Sequence, residues 1–577
     1  MSSKIKKIVV VGGGSSGWMT AATLCTQLEG VEVSVIESPD HPIMGVGEST
    51  LGGIRHWTNL IGLKDKDFMP MVDGSYKLSI KFTDFEGPGT GSFHYPFGQP
   101  VMPVEGVTAN DWWFLKGNNP SFFDKNSYAR CHYPIAAVAE NNRISIDNTG
   151  ATPGFNFDLD SAYHFDATAF GQYLKTHICI ERGVNVIAAT VDEVVTDPEV
   201  GVKSLKLNDG STVTADLFVD CTGFKSLLLG DALETPFHSI ENIIPNNRAW
   251  ATHIPYKDKQ EQLEPFTNCT ALKNGWAWNI PLWSRIGAGY AYSDKYISSE
   301  DALTEFKKHI KKAYKINPES LEYRPLEMRN GIHEKLWVKN VVAIGPAAGF
   351  IEPLESTGLF TTHEFLLSLA LVLQRGVVNQ WDRDSFSFSM TQVFHKLAQF
   401  VGMHYAISPR NDSDYWRDVT ERVRIDNTLG NSISETVNPM PGVDVVGTSE
   451  FMHYANSLHL FHDFTTGTSG FPCIAAGMNY PPIDYLMHNT LGRIRGLDAE
   501  EHCHQLRNLY TDVQQKTSEY AGKCMHLEEY LRTTIHDAGF GMKFVGTVDE
   551  LSDDDPRMPK DPDIINRVKG FRKTHDV

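Results

Sequence analysis

The first forty residues predict a strand, a glycine turn, a helix and a second strand. The run "KKIVVV" is rich in β-branched residues, "GWMTAATLCTQL" has the composition of a buried helix, and "VEVSVIES" again favours a strand. Further buried strands are predicted at 217–219 and 341–344. An "NDG" turn at 208–210 lies between two strand-like runs and indicates a hairpin.

The pattern becomes mainly helical from about residue 357, where runs such as "LFTTHEFLLSLALVLQRGVV" begin. We therefore predict an α/β fold with a mixed core over residues 1–390. A mainly helical C-terminal portion over residues 391–577 is expected to pack with that core as one unit. The last stretch, "DELSDDDPRMPKDPDIINRVKG", is charged and proline-rich and is expected on the surface.

A short stretch in the middle of the chain, "NGWAWNIPL", places two tryptophans two residues apart. If it is a strand, Trp276, Trp278 and Ile280 share one face. Taken alone, this spacing is explained by core packing, because aromatic side chains are often buried.

The glycine turn fits the pattern G-x-G-x-x-G, and an acidic residue ends the second strand 20 residues after the last glycine (37 − 17 = 20). A strand, a tight turn, a helix N-terminus and an acid for ribose hydroxyls together predict a dinucleotide site. The candidate contacts are Gly12, Gly14, Ser15, Ser16, Gly17 and Glu37.

Two later glycine-containing segments favour FAD over NAD. "ADLFVDCTGFKSLL" and "WVKNVVAIGPAAGFIEPLESTG" each read as a strand that ends in a glycine turn, as in flavoproteins of the hydroxylase type. Pro346 follows Gly345 where such proteins usually carry aspartate. No second G-x-G-x-x-G motif precedes another strand that ends in an acid, so we expect a separate protein to reduce the flavin.

Composition and charge narrow the classes of partner. The chain has 577 residues, 41% of them hydrophobic, which is ample for a folded core. The formal charge of 52 − 71 = −19 disfavours nucleic acid. The N-terminal apolar run is too short for a signal peptide, and no stretch reaches the roughly 18 apolar residues of a membrane span.

The cysteines and histidines predict neither disulfides nor a metal site. Eight cysteines are scattered without a C-x-x-C pair, which favours a reducing, cytoplasmic compartment. His502 and His504 flank Cys503, but on a helix they point about 200° apart.

Several segments, in order, resemble the flavin-dependent halogenases of the tryptophan-halogenase type. "GWAWNIP" matches the W-x-W-x-I-P signature of that family. The other matching segments are "GVGEST" (45–50), "YKLSIKF" (76–82), "AYHFDA" (162–167), "VDCTGF" (219–224) and "EPLESTG" (352–358). The resemblance covers roughly residues 1–420, and "CIAAGM" (473–478) extends it.

The resemblance implies FAD, supplied as FADH2 by a flavin reductase, with a halide ion as co-substrate and a homodimer as a common state. It implies that hypohalous acid is guided to Lys77 and that Glu355 assists loss of the ring proton. Lys81 and Glu352 lie close by in the sequence and are the alternative candidates for these two roles. On a continuous strand Lys77 and Lys81 would share a face.

The resemblance also assigns cofactor and halide contacts. It adds Gly47, Glu48, Gly345 and Gly358 to the flavin site. The backbone N–H groups of Thr357 and Gly358, which open a helix, would bind the halide. Helix capping alone would equally explain Ser356 and Thr357.

Residues on the substrate side are implied in the same way: Phe97 as a stacking ring, Tyr95 where tryptophan-specific members carry histidine, and Trp276 with Trp278 between flavin and substrate. The region "LHLFHDFTTGTSGFPCIAAGM" (458–478) lacks the residues with which those members anchor free tryptophan. Free tryptophan is therefore expected to be a poor substrate. Two alternatives stay open from the sequence: a flavin monooxygenase that hydroxylates or epoxidises, and a flavin-binding protein without turnover.

Overall fold

A six-stranded sheet that contains the N-terminal β-branched strand forms the centre of the fold. The computed structural model describes residues 3–39, 48–104, 107, 109–146, 148–425, 471–480 and 490–537. In spatial order the strands of this sheet are Asn185–Ala188, Glu32–Glu37, Lys7–Val11, Leu217–Asp220, Val341–Ala343 and Trp337–Val338. All neighbours are parallel except the last pair. The turn after Val11 therefore opens at the carboxyl edge of the sheet, where α/β proteins bind ligands.

A seven-stranded sheet carries the paired tryptophans. Its strands, in order, are Arg324–Glu327, Arg248–Pro255, Arg285–Tyr292, Gly275–Pro281, Phe266–Leu272, Ser79–Thr83 and Ser92–Pro96. Trp278 lies opposite Gly289 on one neighbouring strand and Cys269 on the other. A Cβ atom at Gly289 would lie 1.9 Å from the indole, so this glycine makes room for the ring. The strand predicted for "GWAWNIP" is confirmed.

A three-stranded sheet connects these two layers and consists of Glu48–Ser49, Ala162–Phe165 and Ser75–Lys77. Its register places Ser49 and Ser75 on either side of His164. The strand ends at Lys77, and the chain enters the seven-stranded sheet only at Ser79. Residues 77–81 are therefore not one continuous strand, so the condition under which Lys77 and Lys81 would share a face is not met.

The remaining described strands form smaller sheets. Two three-stranded sheets comprise Val191–Asp197, Gly201–Leu207 and Thr212–Val213, and Phe237–Ser239, Gly331–His333 and Gly349–Phe350. Two pairs join Ser3–Lys4 with Val377–Val378 and Arg143–Ile144 with Met525–His526. The "NDG" turn joins two antiparallel strands with Gly210 at φ 84°, as the hairpin signal predicts.

Helices dominate after the strand at 341–343. The α-helices are Ser15–Gln27, Ile54–Leu60, Asp65–Phe68, Ala109–Asn118, Ser127–His132, Ile135–Glu140, Phe157–Asp160, Ala167–Leu174, Lys259–Gln262, Ser299–Tyr314, Thr357–Gln374, Gln380–Ala406, Asp414–Ile425, Phe471–Gly477, Thr490–Arg495, Ala499–Lys523 and Leu527–Tyr530. Short π-helical segments span Lys175–Cys179, Leu227–Ala232 and Leu531–His536.

The proposed division at residue 390 lies inside the long helix Gln380–Ala406, so the backbone marks no linker there. That division stays a prediction about organisation. The charged C-terminal stretch and residues 458–470 lie outside the described residues. In the ranges that the structure describes, no helix combines the length and apolar character needed to cross a bilayer.

Candidate active site

A cavity of about 790 Å³ opens at the carboxyl edge of the parallel sheet. The glycine turn after Val11 forms one wall, and the tryptophan strand forms another. The cavity is lined by most of the predicted cofactor contacts: Gly12, Gly14, Ser15, Ser16, Glu37, Glu48, Gly345 and Gly358. Its position and lining fit a dinucleotide such as FAD.

Two glycines of the turn allow the backbone to approach closely. Gly12 has φ 116°, and a Cβ atom there would lie 2.3 Å from the carbonyl oxygen of Cys221. Gly17 does not line the cavity, but its Cβ would lie 1.8 Å from the Gly12 carbonyl oxygen. By contrast, a Cβ at Gly14 would meet nothing within 4 Å. The first and third glycines thus shape the turn, and the second leaves the cavity open.

The acid at the end of the second strand is already held by two donors. Lys175 Nζ lies 2.5 Å from Glu37 Oε2, and the Trp18 indole N–H donates to Oε1 at 3.2 Å. Glu48 also lines the cavity and makes no such pair with another described residue. Burial, helped by the charge of Asp166, raises the pKa of its carboxyl to about 7. Gly47 lies outside the described residues.

Trp276, Trp278 and Ile280 face the same cavity, as period two requires. The two indoles are tilted by 55° with centroids 5.9 Å apart. They therefore do more than fill a core, because they form an apolar part of the cavity lining.

Lys77 lies behind this cavity rather than in its lining, and its side chain is fully buried. Its Nζ donates to the Thr50 carbonyl oxygen and to Ser356 Oγ, both at 2.9 Å, and lies 5.2 Å from the centre of the Phe97 ring. Burial lowers the pKa of the amine to about 7, although the charge of Glu355 opposes the shift. Near neutral pH this lysine can therefore be either an ammonium donor or a neutral amine.

A chain of hydroxyl groups connects Lys77 to the cavity wall. Ser356 donates to Ser49 at 3.0 Å, Ser49 lies 2.7 Å from the Thr267 hydroxyl, and Thr267 lies 2.9 Å from His164 Nε2. All three hydroxyl residues line the cavity. Sequence reasoning missed Ser49, Thr267 and His164, although "GVGEST" and "AYHFDA" contained two of them.

The two glutamates of "EPLESTG" have different surroundings. Each carboxylate oxygen of Glu352 accepts a hydrogen bond, Oε1 from the Tyr405 hydroxyl and Oε2 from the Asn246 side-chain amide. Neither carboxylate oxygen of the buried Glu355 accepts a hydrogen bond from the described residues, although His404 Nε2 lies 2.7 Å from Oε1. Glu355 also exerts its charge on Lys77 and Tyr95. The surroundings favour Glu355 over Glu352 as the group that receives a proton.

The helix that begins at Thr357 is not capped by the side chains next to its start. The Ser356 side chain makes no cap hydrogen bond. Its hydroxyl instead donates to Ser49 and accepts from Lys77. The Thr357 hydroxyl donates to the carbonyl oxygens of residues 351 and 352. Capping therefore does not explain these residues, and the first N–H groups of the helix lack intrahelical partners. Gly358 faces the cavity, and Thr357 is buried behind it.

The Phe97 ring beside Lys77 belongs to a group of aromatic side chains. Tyr95 lies 6.0 Å from both Phe97 and Phe400, measured between ring centres. The helix Phe471–Gly477 packs on the strand Ser92–Pro96, which carries Tyr95. A Cβ atom at Gly477 would lie 2.1 Å from the Phe93 ring. Trp276 and Trp278 line the cavity, whereas Phe97 and Tyr95 do not.

The histidines near residue 503 belong to separate environments. His502 is buried with Nε2 3.2 Å from Asp111 Oδ1, whereas the exposed His504 contacts Arg507 and Asn508. Over the part of the chain that the structure describes, no three His, Cys, Asp or Glu side chains gather as a metal site.

Comparisons with known proteins show which family the chain resembles along most of its length. Residues 7–479 match the family model described as tryptophan halogenase. The chain is 33% identical over 441 residues to the tryptophan 6-halogenase SttH of Streptomyces toxytricini, an alignment that covers 72% of this chain and 81% of that protein. It is 30% identical over 501 residues to the tryptophan 6-halogenase ThaL of Streptomyces albogriseolus, with coverage of 84% and 91%. The solved apo structure of VirX1 is 35% identical, with a TM-score of 0.82 and coverage of 93% and 100%.

Proposed function

This chain belongs to the tryptophan halogenase family and is a flavin-dependent halogenase that uses FAD and a halide ion, and we propose that Lys77 and Glu355 are its catalytic residues. The proposed reaction puts chloride, bromide or iodide on an electron-rich aromatic such as an indole. The observation that carries the proposal is the position of Lys77, which is buried and one hydrogen bond, through Ser356, from the flavin cavity.

Bound reduced FAD supplies the two electrons that, with oxygen and halide, give hypohalous acid. We propose that a separate flavin reductase provides the reduced cofactor, since the sequence holds a single G-x-G-x-x-G motif of this kind. A cytoplasmic location would provide such a reductase, and the dispersed cysteines support it. We also propose a homodimer, an expectation that rests on the family resemblance alone.

The cavity residues would hold and orient these reactants. The turn from Gly12 to Gly17 and the acid Glu37 would bind the adenosine half of FAD. The N–H groups of Thr357 and Gly358 would bind the halide at the helix N-terminus. The indole wall of Trp276 and Trp278 would cover the opposite side and exclude water.

Lys77 would receive the oxidant from the cavity. As an ammonium it can donate a hydrogen bond to hypohalous acid and polarise the oxygen–halogen bond. As a neutral amine it can take up the halogen and release water. A pKa of about 7 supports both routes near neutral pH.

Glu355 would stabilise the positive charge on the attacked ring and take its proton. Its buried position and an Oε2 that accepts no hydrogen bond from the described residues support this role. Phe97 and Tyr95 would hold the ring beside Lys77. Because the tryptophan anchor is missing from the sequence at 458–478, we propose a simpler indole or a larger aromatic in place of free tryptophan.

Mass spectrometry of product tests this function. Indole and tryptophan are incubated with the protein, FAD, an unrelated flavin reductase, NADH, oxygen, and either chloride or bromide. We expect a halide-dependent mass shift of indole with wild type, none with Lys77→Ala, and little change of tryptophan. Equal product from both proteins would mean that escaped hypohalous acid reacts in solution, which would refute the role of Lys77. An added oxygen without halogen would indicate a monooxygenase.

A further inference from the structure

Two adjacent residues near the end of the helix Gln380–Ala406 contact the two glutamates of the "EPLESTG" loop. Tyr405 donates its hydroxyl hydrogen to Glu352. His404 places Nε2 2.7 Å from Glu355 Oε1, and both side chains are buried, at 0% and 1% exposure. No feature of the sequence had singled out His404.

The ring of His404 must carry a hydrogen on Nδ1, because that atom lies 2.8 Å from the carbonyl oxygen of Phe400, which can only accept. A neutral ring with its hydrogen on Nδ1 would leave a bare Nε2 only 2.7 Å from a carboxylate oxygen, and these two electron-rich atoms would repel each other. One proton therefore belongs to this pair. The rings of Phe82 and Phe400, with centres 4.9 and 5.3 Å from the histidine, exclude water from it.

We propose that His404 is a positioning residue: as a cation it pairs with Glu355 and holds Oε1, so that Oε2 is free to take the proton of the halogenated ring carbon. The inference deepens the proposed function and rests on it. A buried carboxylate needs a cationic partner, since removing one member of such a pair leaves an uncompensated charge. Oε1 lies off the direction of the Nε2–H bond, so the resting contact is ionic rather than a formed hydrogen bond.

The proton transfer runs from the halogenated ring carbon to Glu355. The ring carbon that carries the new halogen loses its hydrogen as a proton to Oε2, and the electrons of the C–H bond return to the ring. Without the charge on His404, Oε1 would lose the partner that holds it. Oε2 would then no longer be kept in place for the ring proton, so C–H cleavage would become slow.

A hydrogen isotope effect distinguishes this role from packing. Single-turnover bromination is followed with indole and with indole deuterated at the brominated carbon. Wild type should show no primary isotope effect, because fast proton loss follows slow attack. His404→Gln retains an N–H donor near Nε2 but has no charge. The turnover rate of this variant should fall by roughly tenfold or more, and its reaction should show a primary isotope effect.

The chain offers a matched control in Tyr405→Phe, which releases the other glutamate and should show no isotope effect. Flavin titration and trapping of hypohalous acid check that each variant still binds FAD and forms the oxidant. His404→Gln at the wild-type rate, or slow without an isotope effect, would overturn the proposal. An isotope effect in both variants would assign the role to the loop as a whole and would also overturn it. Failure of wild type to brominate any aromatic would instead refute the proposed function.

Discussion

The burial of Lys77 predicts that this residue destabilises the protein. Its ammonium exchanges water for two acceptors, the Thr50 carbonyl and the Ser356 hydroxyl. In the variant Lys77→Met, the methionine side chain is close to lysine in length and carries no charge that would need solvation. We expect this variant to be more stable than wild type at neutral pH and unable to halogenate, although it still forms hypohalous acid.

The size and sign of the effect follow from the pKa. Its fall from the usual 10.5 to about 7 costs the folded state roughly 4 to 5 kcal/mol when the lysine is charged. Below pH 7 this cost is constant. Between pH 7 and 10.5 the unfolded chain binds one more proton than the folded one, so wild-type stability rises by about 1.4 kcal/mol per pH unit relative to the variant.

Two lost hydrogen bonds offset part of the gain from methionine, at about 1 kcal/mol each. The variant should therefore be more stable by roughly 2 kcal/mol at pH 7.5 and about equal to wild type at pH 9. Urea unfolding at both pH values, followed by tryptophan fluorescence, measures this. Lys81→Met is the matched control, because Lys81 is partly exposed. The same stability gap at both pH values would refute a neutral amine near pH 7.

Three further predictions test other parts of the site. Glu355→Gln should lower halogenation by roughly 10²-fold or more in a product assay while trapped hypohalous acid is unchanged; wild-type turnover would contradict its role. Ser356→Ala should leave a buried Lys77 donor unpaired and reduce halogenation at least tenfold, whereas FAD affinity measured by fluorescence titration should change little; an equal loss of both would contradict a role limited to the lysine. Gly17→Ala should lower both the melting temperature of the apo protein and FAD affinity, because its Cβ would overlap a backbone carbonyl oxygen. Gly14→Ala, with no atom within 4 Å of the added Cβ, should lower only FAD affinity, and a drop in melting temperature would contradict this.

Local patterns were sufficient to predict the flavin-binding half of the fold. The strand, turn, helix and acid between residues 7 and 37 are neighbours in sequence, and hydrophobic periodicity specifies them directly. The "GWAWNIP" strand follows from period two. The break at Leu78 could not be predicted, because whether a chain continues in one sheet or passes to another depends on tertiary contacts.

The site around Lys77 combines residues far apart in the sequence. Ser356 is 279 residues from Lys77, and Thr267 is 218 from Ser49. No periodicity links such positions, and a single serine has many explanations. Family resemblance indicated Lys77 and Glu355, but His404 had no local signal, because a histidine in a helix interior reads as core.

The groups between the cavity and Lys77 also explain how a strong oxidant could pass without destroying the site. Hydroxyl groups of Ser356, Ser49 and Thr267 form that boundary, and hydroxyls resist hypohalous acid far better than sulfur does. Cys269 lies close enough to Glu355 and Lys77 for their charges to affect the pKa of its thiol. Burial, reinforced by Glu355, holds the pKa of its thiol well above the usual value, and its Sγ hydrogen-bonds the Leu354 carbonyl oxygen. Since the thiolate is the reactive form, the same low-polarity surroundings that make the Lys77 amine available keep the neighbouring thiol unreactive.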